Sequence, residues 1–176
     1  MGDSLGILQN KIAEGDLKAY ECLYRLSYHS LLRFGISLTK NKQVTEEIVS
    51  DVLAHIWFHR DNILQIANLK TYLFIAVKNN CLKHLSRSRT VMDIEDCDII
   101  ACFATPEKKM LSDELYQKIQ NAIQSLPSRC KMCFQLVKEE GLSYKETAAV
   151  LGISPKTVDA QIVTALKKIA EKISEK

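Results

Sequence analysis

Two cysteines three residues apart, Cys130 and Cys133, are the sharpest sign of reactive chemistry in this 176-residue chain. A C-x-x-C pair is half of a zinc site, and Cys97 with Cys102 would have to supply the rest. No histidine lies near them in sequence and a closed site needs four ligands, so ordinary buried or surface thiols fit the spacing better. His29, His55, His59 and His84 stand in no H-E-x-x-H pattern and beside no nucleophile elbow, and there is no glycine-rich phosphate loop. These absences exclude the common active-site constellations, so catalytic residues, metal ligands, a cofactor and a small-molecule substrate are all expected to be lacking, and the chain is not expected to be an enzyme.

The chemistry that the residues do support is base reading near the C-terminus. Ser143-Tyr144-Lys145-Glu146 is a capping box, in which a serine oxygen and a glutamate carboxylate satisfy amides left unpaired at a helix start. Leu151-Gly152-Ile153 ends that helix, because glycine accepts the left-handed backbone of a tight turn. Ser154-Pro155 opens a second helix with a side-chain cap and a proline in the first helical position. Two helices joined this tightly make a helix-turn-helix. On the second helix Val158, Ile162, Ala165, Leu166 and Ile169 fall on one apolar arc, while Thr157, Ala160, Gln161, Thr164 and Lys168 fall opposite. In a recognition helix, Gln161 would bond adenine edges, the methyls of Thr157, Ala160 and Thr164 would meet thymine, and Lys156, Lys167 and Lys168 would hold phosphates.

The elements that must position this motif are helical throughout. Hydrophobic residues are 47% and charged residues 26% of the chain, the balance of a soluble globular protein. No apolar run is long enough to cross a bilayer and the first residues lack a secretory pattern, so the expected location is the cytoplasm, with reduced thiols. Net charge is +3, but its distribution matters more. Residues 1–90 carry 12 Lys and Arg against 8 Asp and Glu, residues 91–110 carry 2 against 5, and residues 111–176 carry 10 against 8. The acidic stretch ends the helical patterning and includes Pro106, which predicts an interdomain linker. Asp16 is a cap before a helix bearing Tyr20, Leu23, Tyr24, Leu31 and Leu32. A helix is predicted from Asn41 to Arg60 with Val44, Ile48, Val52 and Ile56 as its core stripe, and a third from Leu69 to Leu85. The fold class is therefore all-α: two small helical domains, 1–90 and 112–176, joined by a flexible acidic linker over 91–111.

From Ile119 onward, IQNAIQSLPSRCKMCFQLVKEEGLSYKETAAVLGISPKTVDAQIVTALKKI resembles the −35-reading domain, region 4, of extracytoplasmic-function sigma factors of the sigma-70 superfamily. In the first half, GDLKAYECLYRLSYHSLLRF, TEEIVSDVLAHIW and LKTYLFIAVKNNCLKHLSRSR resemble that family's region 2: its opening, polymerase-binding and −10-reading helices. The resemblance implies a factor that binds core RNA polymerase, through its largest and flap-bearing subunits, and directs promoter-specific initiation. Glu47, Ile48, Asp51, Val52 and Trp57 would then contact the polymerase. Tyr72, Lys78, Asn79, Lys83 and Arg87 would face the −10 element, and the loop from Asp61 to Asn68 would hold a flipped base. Asp93, Glu95, Asp96 and Asp98 would imitate a nucleic-acid backbone in the RNA-exit path. It further implies an anti-sigma factor that clamps the two domains, membrane-bound in many relatives whose recognition helix lacks arginines. Ser50 and Leu53 replace a glutamine and a phenylalanine common in the family. Gln161, Thr164 and Leu166 stand where many members have arginine, which predicts a shallow salt dependence. The second reading is a conventional helix-turn-helix regulator that binds a duplex operator without polymerase.

Overall fold

The computed structural model describes residues 2–88 and 113–174, with side chains described over 5–87 and 117–174. The acidic segment 91–111, with Cys97, Cys102 and its four acidic residues, lies outside the described residues. The chain divides into two compact units, Met1–Cys97 and Asp98–Lys176. All regular structure among the described residues is helical, as the patterning predicts.

In the first unit, α1 (Gly2–Ala13), α2 (Leu17–Thr39), α3 (Lys42–Phe58) and α4 (Leu69–Ser88) pack together, with a 3₁₀ turn at Arg60–Gln65. Asp16 caps α2 as its sequence position suggests, its Oδ1 accepting from the amides of Lys18 at 2.8 Å and Ala19 at 3.2 Å. Leu23, Leu31, Val49, Leu53, Leu73 and Val77 form the core, with Phe34 set edge-on to Phe74 at 5.3 Å. α1 starts without a recognisable cap signal and was not expected. It is held by the fully buried Ile12 and by Gln9, whose Nε2 donates to the carbonyls of Ile63 at 2.5 Å and Ile66 at 2.8 Å.

The α2–α3 junction is set by a small polar knot. Lys40 ends α2 in the left-handed region at φ 56°, and Asn41 caps α3, its Oδ1 accepting from Val44 N at 3.1 Å. The buried hydroxyls of Thr39 and Thr45 bond one another at 2.7 Å, and that of Thr45 also reaches Asn41 O at 2.7 Å. Beside them lies Gly35, where the three long helices meet. A Cβ there would overlap Thr45 Cγ2 and stand 3.4 Å from Val77 Cγ1 and 3.6 Å from Cys81 Sγ.

The core stripe predicted for α3 is displaced. Its buried residues are Thr45, Val49, Val52, Leu53 and Ile56, with Val44 and Ile48 only half-buried. A strict step of four advances the helix by slightly more than one turn, so a line drawn from Val44 to Ile56 drifts around the helix. Only its C-terminal end faces the core. Where a loop was expected from Asp61 to Asn68, the chain winds into the 3₁₀ turn and buries Ile63.

In the second unit α5 (Asp113–Gln124), α6 (Ser128–Phe134) and α7 (Tyr144–Leu151) all pack on α8 (Pro155–Ser174). α6 runs on into one π-helical turn, Gln135–Glu139. Cys133, Ala148, Val158 and Ile162 make one buried cluster, and Leu126, Cys130 and Ala165 make a second.

Candidate nucleic-acid and partner interfaces

On α3 the residues Glu47, Asp51, Ala54 and Phe58 recur at i, i+4, i+7 and i+11, which places them on one face. Glu47 and Asp51 are exposed, and Phe58 is 73% exposed. The face is thus acidic at its N-terminal end and aromatic at its C-terminal end. Phe58 was missed from sequence, although its spacing from Glu47 was a usable signal. Ile48 borders the face half-buried, but Val52 is only 5% exposed and lies in the core, so it supports the helix from beneath and cannot touch a partner. Trp57 lies about a third of a turn from Asp51. Its ring packs 5.1 Å from Tyr20 and 5.2 Å from the Arg60 guanidinium. On α2 the rings of Tyr20, Tyr24 and Tyr28 continue this aromatic row at 6.4 and 5.2 Å, and burial raises the pKa values of Tyr20 and Tyr28.

α4 buries Leu69, Leu73, Phe74, Val77 and Cys81, and leaves Tyr72 half-buried and Asn79, Lys83 and Arg87 exposed. The spacing of 7, 4 and 4 residues places these four along a strip that drifts by about 80° around the helix. Lys78 is half-buried and about a third of a turn from Tyr72, so it flanks the strip and does not belong to it. Asn68, at the end of the loop assigned to base capture, is committed to capping α4: its Oδ1 accepts from Thr71 N at 2.9 Å.

In the second unit the capping box is complete. Glu146 N donates to Ser143 Oγ at 3.2 Å and Ser143 N donates to Glu146 Oε2 at 2.7 Å. Gly152 adopts φ 72° and ψ 37° at the end of α7, and Thr157 N donates to Ser154 Oγ at 3.0 Å at the start of α8. α8 buries Val158, Ile162 and Ala165. Lys156, Thr157, Ala160, Thr164, Lys167 and Lys168 are exposed, and Gln161 is half-buried at the border between the reading face and the core. Leu166, expected on the apolar arc, is 46% exposed, at the edge of that arc past Ile162. Several polar atoms of the reading face are already occupied within the unit. Thr164 Oγ1 donates to Ala160 O at 2.8 Å, the Thr157 and Ser154 hydroxyls bond at 2.8 Å, and Cys130 Sγ donates to Gln161 Oε1 at 2.8 Å.

Among the described residues no group of three or more His, Cys, Asp or Glu side chains could hold a metal ion, and no helix is long and apolar enough to cross a membrane. The cysteines described, Cys22, Cys81, Cys130 and Cys133, are free thiols. Burial pushes Cys81 up to about 11, and burial with the neighbouring Cys130 pushes Cys133 up to about 11.

Residues 116–169 match the family model for sigma-70, region 4. The chain is 25% identical to the ECF RNA polymerase sigma-E factor of Escherichia coli K12 over 178 aligned positions, covering 95% of this chain and 93% of that one. It is 24% identical to the RNA polymerase sigma-H factor of Pseudomonas aeruginosa, covering 92% and 90%. Among solved structures it is similar to the sigma factor RpoE from Bartonella quintana, crystallised with the anti-sigma factor NepR, with a TM-score of 0.62, 24% identity, and coverage of 90% of this chain and 99% of that one. It is also similar to CnrH, solved with the cytosolic domain of CnrY, with a TM-score of 0.56, 19% identity and 94% of each chain covered. These two likenesses share the two-unit helical fold. Its second unit matches the model for sigma-70, region 4, and across both units the chain is similar to RNA polymerase sigma factors of the extracytoplasmic-function group.

Proposed function

We propose that the chain acts in the cytoplasm as a promoter-selecting subunit, binding core RNA polymerase and guiding it to paired −35 and −10 elements. The observation that carries this reading is similarity to sigma factors over more than nine-tenths of the chain, through both units. A free-standing helix-turn-helix regulator would share only the second.

On this reading residues 1–90 bind polymerase and open the −10 element, residues 112–176 read the −35 element, and residues 91–111 join them. The α3 face of Glu47, Asp51, Ala54 and Phe58 is the polymerase contact, its carboxylates pairing with a basic surface and its exposed ring entering an apolar recess. Tyr72, Asn79, Lys83 and Arg87 on α4 meet the separated −10 strand, the ring offering a stacking surface and the two cations holding phosphates. Melting costs a few kcal/mol per extruded base, which stacking and pocket contacts partly offset. α8 enters the major groove of the −35 element, where its lysines position the duplex and its methyl-rich face reads bases. Nucleotide addition belongs to the polymerase, and the chain carries out no reaction of its own. An anti-sigma factor is the regulatory partner, as NepR is for the Bartonella protein.

The test is run-off transcription by purified bacterial core polymerase from a randomised promoter library, with and without this protein. Protein-dependent starts that share spaced −35 and −10 elements are expected, and Asp51→Arg should abolish them without unfolding the chain. Duplex binding with no protein-dependent start would overturn the reading in favour of a conventional regulator.

A further inference from the structure

The reading face of α8 is unusual in how little hydrogen-bonding capacity it leaves for bases. The hydroxyl of Thr164 is spent on its own helix and that of Thr157 on the cap, so both present methyl groups, as Ala160 does. Between the lysines, Gln161 is therefore the residue left to recognise polar base edges. Its amide is not symmetrically available either. The thiol of Cys130, on α6 and 31 residues away in sequence, donates to Gln161 Oε1 at 2.8 Å. Cys130 itself is buried against Leu126 and Ala165, so it cannot follow the glutamine outward.

We propose that Cys130 is a positioning residue for promoter recognition: by holding Gln161 Oε1 against α6 it turns the Nε2 amide hydrogens outward and makes Gln161 a donor-only reader. This inference rests on the assignment of α8 to the −35 element and adds its chemical preference. A free glutamine amide recognises adenine with two bonds, accepting from N6 and donating to N7. With the oxygen held inward, the accepting half is lost. Two outward hydrogens instead suit two adjacent acceptors, which guanine offers at O6 and N7. The adenine contact expected from sequence is thereby replaced by a preference for guanine at one base pair. Serine at position 130 would keep a donor of similar size, whereas alanine would release the amide.

The experiment uses the full chain with core polymerase on a library randomised across the −35 region. Gln161→Ala identifies the base pair concerned as the one whose preference flattens. At that pair the unmodified protein should favour guanine over adenine by at least about fivefold. Cys130→Ala should shift the preference toward adenine, and Cys130→Ser should keep guanine. In the Gln161→Ala background Cys130→Ala should change nothing. The infrared S–H stretch of Cys130 supplies an independent readout, moving to higher frequency in Gln161→Ala as the thiol loses its acceptor. A base preference unaffected by Cys130→Ala, an equal effect in the Gln161→Ala background, or an S–H band indifferent to Gln161→Ala would overturn the proposal. Absence of any protein-dependent transcription would instead overturn the sigma-factor reading on which it rests.

Discussion

Gly35→Ala tests the packing that fixes α3, the helix proposed to bind polymerase. In an ordinary helix interior this change is favourable by about 0.8–1 kcal/mol, because glycine loses more backbone freedom on folding. Here the new methyl would overlap Thr45 Cγ2. Thr45 cannot turn aside cheaply, since rotating its β-branched side chain would break its hydroxyl bonds to Thr39 and Asn41. Those bonds are worth about 1 kcal/mol each. If the helices separate instead, overpacking costs about 1–3 kcal/mol. After the propensity gain is subtracted, the net loss is up to about 2 kcal/mol, each kcal/mol lowering Tm by roughly 4–8 °C for a domain of this size. Thr45→Ser removes only Cγ2 and keeps the hydroxyl, so in that background Gly35→Ala should be neutral or mildly stabilising. Urea denaturation of the full chain, followed by fluorescence of the single tryptophan, Trp57, reports on the first unit alone. Gly35→Ala that is harmless in the otherwise unmodified protein, or equally harmful in the Thr45→Ser background, would refute the close-approach argument.

Thr164→Arg places a cation on the reading face of α8, and it should strengthen −35 binding, steepen the logarithmic salt dependence by about one unit and leave polymerase affinity unchanged. Filter binding across a salt series measures it. Ser143→Ala should cost the second unit about 1 kcal/mol through loss of the capping box, seen as a lower thermal midpoint for that unit with that of the first unchanged. Alkaline pH should weaken both units through their buried thiols. Cys81 and Cys133 titrate near 9 when unfolded and near 11 when folded, so their contribution is intact below pH 9 and is lost as pH rises toward 11. Each should add about 1.4 kcal/mol per pH unit to the slope of stability across that window. Cys81→Ala and Cys133→Ala should each flatten the slope for their own unit, and an unchanged slope would show that the thiol does not titrate with unfolding.

What was legible in the sequence was what short-range hydrogen bonding decides. Asp16, Ser143 and Ser154 each bond an amide two or three residues ahead, so their role depends on little beyond their immediate neighbours. Gly152 is equally local, and with Ser143 and Ser154 it delimits the helix-turn-helix. The candidate faces were less legible because they depend on which neighbour each helix meets. Val52 and Lys78 sit in sequence stretches that resemble interface helices, yet packing in the first unit buries Val52 and leaves Lys78 half-buried. Trp57 is drawn toward Tyr20 by an aromatic row whose members lie on separate helices. The bond between Cys130 and Gln161 had no sequence signal at all, since neither residue type implies the other and α6 and α8 meet only in the fold.

Gln9 ties the N-terminal helix to the segment between α3 and α4 through two backbone carbonyls. If that segment receives an extruded base, as the resemblance implies, leaving it loose would make each encounter with DNA carry the entropy of fixing it. Bracing it from α1 moves that loss into the folding of the unit, before any promoter is met. On that reading the consequence would be kinetic: a base that flips out would meet a surface already in shape, with no rearrangement of this segment to wait for.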